Sequence, residues 1–406
     1  MSSPQPFFWG SNMGDRVIRF GCLFTCVACF FTPLSTSLMG ISSGLAVLCW
    51  IISGHFLHIV DYLKRYPAVI VSLVLFFYMV FAITYSPAET IESVNILKKY
   101  RELFLLPVFV SMLSISQKYR EWAEYSFIAG CIILMIISYS IIFGIMPEHR
   151  YGHSIVFHIT HNFFMAVLSF WSLHYTFDSH KYRWFWLTIF ILSVINIFYI
   201  APGRTGMLVF TCLMILFMVQ RFSLKQFLVA IILFCSLITA IYYTSENFSG
   251  RIKEVVIEIN NYEPGKSRTS IGQRFDWYRS GVSLIREKPI MGHGTGSYPY
   301  VQKRVTANSK IKETDNPHNE FLFLTIQFGL LGLLLFFSLI VTQIFFARSI
   351  PTKKQMLLHG VILAIMSGSL MNSLLFDSQQ GHFYLFMSAA LMTSHASGSS
   401  PEISSI

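Results

Sequence analysis

Twelve apolar stretches, each near the about 20 residues that a helix needs to cross a bilayer, recur along this chain and constrain its fold more than any other feature. They run at 17–36, 40–60, 67–85, 98–116, 122–144, 153–177, 184–201, 204–220, 225–244, 317–347, 354–374 and 380–396. A run of that length leaves no polar face for water, and in lipid a helix satisfies its own backbone. Composition agrees: 12% of the 406 residues are charged, against roughly 25% in soluble domains. The predicted fold class is an all-α polytopic membrane protein with about 12 transmembrane helices. Nine of them occupy 1–244, a polar segment fills 245–316, three more follow at 317–396, and 397–406 is a cytoplasmic tail.

Orientation follows from Lys and Arg in the short connections. With the N-terminus inside, thirteen lie in inside connections, among them Lys64, Arg65, Lys118, Arg120, Lys353 and Lys354. Five lie outside: Lys98, Lys99, Arg101, Arg150 and Arg204. The 245–316 segment then projects into the periplasm; long loops are exempt from the charge rule. The net charge of +10 reads as a topology signal and as affinity for membrane lipids, with no nucleic acid implied. The first apolar stretch continues into a second after a short turn, so it is expected to be retained as a signal anchor. All seven cysteines fall in apolar stretches, which argues against a disulfide, and the Cys26/Cys29 pair has no partners suited to a metal.

The long outside segment carries twelve Lys and Arg against eight acids, a net +4. Phe248, Ile252, Val255 and Ile259 recur at helical spacing, as do Ile271, Phe275, Tyr278, Val282 and Ile285. Glu263-Pro264-Gly265 separates the two patterns and Lys288-Pro289 ends the second. Two amphipathic helices are expected, lying on the membrane or capping a cavity. Gly292-His293-Gly294-Thr295-Gly296 follows as a flexible turn.

Three places invite chemistry. In Asp315-Asn316-Pro317-His318-Asn319, Asn316 suits an N-cap and Pro317 the first helical position, which puts His318 in the first turn of a long helix. The positive end of that helix favours a neutral imidazole, able to accept a proton, and attracts anions. The plain alternative is a histidine that merely sits at the interface. Arg204 lies on an outside turn between two apolar spans, where an arginine at membrane depth faces a polar cavity, holds phosphate or snorkels to the headgroups. In the second loop helix Arg274, Tyr278 and Gly281 share one face, while Arg279 and Arg286 share another. Those arginines can close over an anionic lipid head or simply bind anionic phospholipid.

Weaker candidates are His293 in the glycine-rich turn, His158 and His161 at i, i+3, and Asp377, which can orient His318, pair with an arginine or only be solvated. No Asp-x-Asp occurs, so a metal–nucleotide-sugar clamp has no candidate, and no Walker A sequence is present. The first outside turn, Ser37-Leu38-Met39-Gly40, holds no acid.

His318-Asn319, nine residues, then Gly329-Leu330-Leu331-Gly332 resembles the ligase pattern of the O-antigen ligase family, in the superfamily that includes O-antigen polymerases. Arg204-Thr205-Gly206-Met207-Leu208 fits a second pattern of that family, and the long loop precedes the His-bearing span as it does there. The resemblance implies a GT-C-like, metal-independent, inverting glycosyltransferase without a cofactor. Its donor would be O-antigen on undecaprenyl diphosphate and its acceptor a sugar hydroxyl of lipid A–core. The physical reading agrees: His318 can serve as base, and Arg204 and Arg274, with Arg279 behind them, can hold the diphosphate, while Asn319 supports the site and Gly329 and Gly332 permit close helix packing. Two rivals stay open: a polymerase of the same superfamily, and a transporter or flippase, for which internal repeats are expected and none is seen.

Overall fold

The computed structural model describes residues 11–266, 268–307 and 309–394. The expected tail at 397–406, and the last residues of the stretch 380–396, lie outside them. Each of the twelve apolar stretches contains a helix, though 153–157, 317–319 and 369–374 are not helical. The first half is α1 (Ser11–Phe31), α2 (Thr36–Ile52), α3 (Ile59–Arg65), α4 (Pro67–Phe81), α5 (Thr90–Leu97), α6 (Arg101–Leu113), α7 (Gln117–Ile142), α8 (His158–Asp178) and α9 (Arg183–Ile195). A π-turn, Asn196–Ile200, leads to α10 (Arg204–Arg221) and α11 (Leu224–Thr244). The outside segment forms α12 (Glu246–Asn260), α13 (Ser270–Glu287) and α14 (Tyr298–Thr306), followed by α15 (Glu320–Phe346), α16 (Thr352–Gly368) and α17 (Ser378–Met392). The described residues contain no β-strand.

Among the described residues, six helices are long and apolar enough to cross a membrane: Pro67–Tyr85, Gln117–Ile142, Arg183–Ile200, Arg204–Arg221, Leu224–Thr244 and Glu320–Ser349. A seventh is added if Thr36–Ile52 and His55–Arg65, bent by 80°, count as one span. The expected number was twelve. The others are shorter or more polar, and several are wrapped by their neighbours: α17 is buried from Gln380 to Met392 and α8 over most of its length. A helix surrounded by protein need not be uniformly apolar, because Gln, His and Ser find partners there. The opposite case is α11, where Ile241 alone is buried and Leu228, Val229, Ile232 and Leu233 are all more than half exposed, a surface suited to lipid.

Contacts sort the connections into two ends. At one, Lys354 Nζ lies 2.6 Å from Glu124 Oε1, Arg221 pairs with Asp178 at 2.8 Å, and Gln220 donates to the Met356 carbonyl. At the other, Gln379 donates to the Thr32 carbonyl, Gln380 to Thr160 and Asn372 to Thr205, beside α12 to α14.

The expected single long helix over 317–347 is corrected in two ways. It starts at Glu320, with Asn319 as its N-cap, and it is broken at Gly329 (φ 65°, ψ −169°). The expected flexible turn at 292–296 is instead a buried strap that enters this break. Leu330 N–H donates to the Pro289 carbonyl at 2.8 Å, and His293 and Gly294 donate to the Ile326 and Gln327 carbonyls at 2.9 and 2.8 Å. Thr295 is pinned between Ala82, Met79, Ser86 and Ser93. Backbone groups freed by a helix break at membrane depth need such protein partners. Only a residue without Cβ fits at 329, where a side chain would meet the Ile290 carbonyl.

The two expected loop helices form, capped by Ser245 and Thr269. The buried face of α13 differs from the anticipated apolar series: Trp277, Ser280, Gly281 and Leu284 are inside, while Val282 is 46% exposed. Gly281 decides this, since it lets α13 lie directly on Leu322 and Ile326 of α15. α14 was not anticipated, although Tyr298, Val301, Gln302 and Val305 already carry helical spacing.

Candidate functional site

The segment before α15 positions His318. Asn316 Oδ1 accepts from the His318 N–H at 2.8 Å, a tight Asx turn that holds His318 at φ 54°, among the described residues the only non-glycine with positive φ. A histidine so held costs on the order of 1–3 kcal/mol and persists only where its surroundings over-determine it. His318 therefore precedes the helix rather than occupying its first turn: Pro317 closes a turn, and Asn319 Oδ1 caps the helix by accepting from Leu322 N–H at 3.0 Å.

Three elements converge on the imidazole. The ring lies 5.5 Å from that of Trp277 on α13, centroid to centroid. Tyr278 on the same helix donates to the His318 carbonyl at 3.2 Å and the Leu370 carbonyl at 3.3 Å, which ties α13 to the 369–377 connection. From that connection Asn372 lines the same cavity as His318, and its Nδ2 donates to Thr205 Oγ1 at 2.7 Å. Thr205 follows Arg204, so one buried amide ties the start of α10 to the wall that carries His318. Burial lowers the His318 pKa from its ordinary value of 6.5, the Arg274 charge lowers it further, and the nearby Asn372 side chain acts in the opposite direction. The imidazole is thus neutral near pH 7, with one ring nitrogen able to donate and the other to accept. His318, Asn316, Asn372, Ser373 and Asp377 line a cavity of about 300 Å³.

Arg274 lies close enough to His318 for its charge to act on the imidazole, and Arg204 close enough to act on Arg274. Arg204 is held by Glu254 at 2.7 Å and Glu258 at 3.4 Å. Glu258 also accepts from Ile271 N–H at 2.8 Å, so it anchors α12 to the start of α13. Among the described residues Arg274 has no salt-bridge partner, and burial works against its charge. An anion between the two guanidinium groups would relieve that cost.

Arg279 is not brought to this place. It is exposed, beside Tyr262, whose hydroxyl donates to Asp276 at 2.8 Å. Asn319 is a cap, and its Nδ2 donates to the Leu370 carbonyl at 3.2 Å. Gly329 forms the break that admits the strap, and Gly332 packs against Phe328 and Tyr78. His293 Nε2 is occupied by the Leu284 carbonyl at 2.9 Å, a structural tie between strap and α13. Asp377 stands on the wall of the His318 cavity. Burial pushes its pKa up to about 6, opposed by Lys99. His161 uses both nitrogens, on Ser154 at 2.8 Å and Asn196 at 2.7 Å.

Sequence reasoning missed Asn372, Thr205, Glu254 and Glu258, which are common polar residues far apart in the chain. It also missed what holds the 369–377 connection. Glu320 Oε1 accepts from Tyr100 at 2.8 Å, and Oε2 accepts from Leu375 N–H at 2.9 Å and Phe376 N–H at 3.3 Å. His382 Nδ1 lies 2.8 Å from Glu102 Oε1. The signal for these was a carboxylate at the start of two apolar helices, where an unpaired charge is costly.

Comparison with known proteins matches residues 187–337 to the family described as O-antigen ligase. That segment runs from α9 to the middle of α15 and contains Arg204, Arg274 and His318. An uncharacterized protein of Haemophilus influenzae is 30% identical over 139 residues, 32% of this chain and 35% of that protein. The chain thus matches about a third of the length of that curated relative. The family match supports, for residues 187–337, a relation to the O-antigen ligase family in its wider ligase and polymerase superfamily.

Proposed function

We propose, for a chain whose residues 187–337 carry the O-antigen ligase family domain, that it transfers polysaccharide from undecaprenyl diphosphate to a sugar hydroxyl of lipid A–core. The observation that carries this reading is a neutral histidine on the wall of a cavity, with Arg274 near enough to act on it, Arg204 near enough to act on Arg274, and no carboxylate paired with Arg274 among the described residues. The donor's anomeric carbon is already activated, with diphosphate as leaving group. The acceptor hydroxyl attacks that carbon, its proton passes to His318, and the bond from the carbon to the phosphate oxygen breaks. Undecaprenyl diphosphate leaves, its new charge held by the guanidinium groups of Arg204 and Arg274. One displacement inverts the anomeric configuration. A positioned base contributes roughly 10²–10⁴-fold, and fixed arginines stand where other transferases place a metal ion. Both substrates are lipid-anchored, which suits a site capped by α12 and α13 at one end of a membrane bundle on the inner membrane's periplasmic side.

Product identity tests this. Purified protein is mixed with lipid-linked O-antigen and core lipopolysaccharide, and the products are resolved on a gel and by NMR of the new linkage. The expected product is substituted lipopolysaccharide with an inverted anomeric centre. Longer lipid-linked chains without substituted core would make the chain a polymerase, and retention of configuration would remove the single displacement.

A further inference from the structure

A second and larger cavity, about 950 Å³, adjoins the first, and Asn316 lines both. One wall carries Glu92 and Lys99; the other is α14, with Tyr300, Gln302 and Lys303. Gln302 is fully buried. Its Nε2 donates to the Lys312 carbonyl at 3.3 Å, but its Oε1 has no partner among the described residues. A buried carbonyl oxygen left unpaired is unfavourable, so this one is set to accept from a bound hydroxyl or amide. Two aromatic rings, Tyr300 and Phe376, face the same space. Lys99 Nζ lies 4.1 Å from the Phe376 ring centre, and the Tyr300 hydroxyl donates to Glu92.

Aromatic faces beside fixed acceptors and donors match a polyhydroxylated ring, which offers C–H patches to stack and hydroxyls to bond. Lys99 and Lys303 add affinity for an acidic substituent on it, and Glu92 and Glu313 keep the wall from being a plain anion trap. A lipid tail would find too many polar groups here, and a bare diphosphate would need neither ring. We propose that this cavity is a saccharide-binding groove, seating the sugar chain that runs into the His318 cavity past Asn316. This rests on the glycosyl-transfer reading above. The chain is either the acceptor's oligosaccharide or the donor's polymer.

The experiment uses full-length protein in detergent: wild type, Gln302→Leu, and the surface variants Tyr300→Ala and Lys303→Ala, with folding checked by elution profile. Initial rates are taken with each substrate varied in turn. In parallel, core oligosaccharide and O-polysaccharide, each released from lipid by mild acid, are tested for binding by saturation-transfer NMR. The groove predicts that Gln302→Leu and Tyr300→Ala raise KM about ten-fold, the effect of one lost hydrogen bond or stacking contact, with kcat nearly unchanged. A rise for lipopolysaccharide assigns the groove to the acceptor; a rise for lipid-linked O-antigen assigns it to the donor polymer. Unchanged KM for both in all folded variants overturns the groove while leaving the reaction in place. Wild type that binds neither released glycan also overturns it. Wild type that binds a glycan through Tyr300 but forms no glycosidic bond refutes the reaction and leaves the groove standing.

Discussion

Replacing Gly329 by Ala should damage the fold more than any other single methyl addition on α15. At φ 65° and ψ −169° the residue sits in a region open essentially to glycine, where another residue costs about 1–3 kcal/mol. The added Cβ would also meet the Ile290 carbonyl and push the strap away. The bonds from Leu330 N–H to Pro289 and from Leu331 N–H to Ile290, at 2.8 and 3.2 Å, would be lost or lengthened. At about 1 kcal/mol each, the total is about 3–5 kcal/mol. With about 2 °C per kcal/mol for a large chain, the melting temperature in detergent should fall by roughly 6–10 °C. Gly250→Ala is the control: it lies in α12 with open space around it and should be neutral or stabilising by about 0.5–1 kcal/mol. Differential scanning fluorimetry of both variants reads the difference. A Gly329→Ala protein melting within about 1 °C of wild type would refute the claim that the strap needs a glycine break.

Three further outcomes follow from the site. The His318 pKa is lowered by burial and then by Arg274, so the acid limb of the pH–rate profile should fall below the ordinary imidazole value, and Arg274→Gln should move it upward; a limb that moves down in that variant would contradict the assignment. Glu254 competes for Arg204 at 2.7 Å, so Glu254→Gln should lower the KM for lipid-linked donor by a few-fold, read from initial rates; a raised KM would mean that the pair is needed to place Arg204. Glu320→Ala removes the acceptor of Tyr100 and of the Leu375 and Phe376 N–H groups, and should cost about 3 kcal/mol or more, seen as a lower melting temperature; an unchanged one would show that water replaces the carboxylate.

Much of the bundle was legible in the sequence because apolar length and basic connections speak directly to a membrane. α12 and α13 were legible from their periodicity; the sequence also singled out His318 from the helix-start pattern around it, Arg204 from the cost of an arginine at membrane depth and Arg274 from its helix face, and the structure puts Arg274 near His318 and Arg204 near Arg274. The break at Gly329 was not, because a glycine in an apolar helix looks the same whether it packs a neighbour or admits a strap. Nor was Arg279, which shares a helix with Arg274 but is rotated toward Tyr262. Asn372 was hidden for another reason: an asparagine declares its role only through what lies around it, here Thr205, to which it donates, and the cavity it shares with His318.

The most direct measurement compares wild type with His318→Ala, purified and folded, in forming substituted lipopolysaccharide from lipid-linked O-antigen and core, with EDTA present. The account predicts a product ladder from wild type and a loss of roughly 10²–10⁴-fold in the variant. A variant that ligates at the wild-type rate, or a wild type silenced by EDTA and restored by a metal ion, would contradict it.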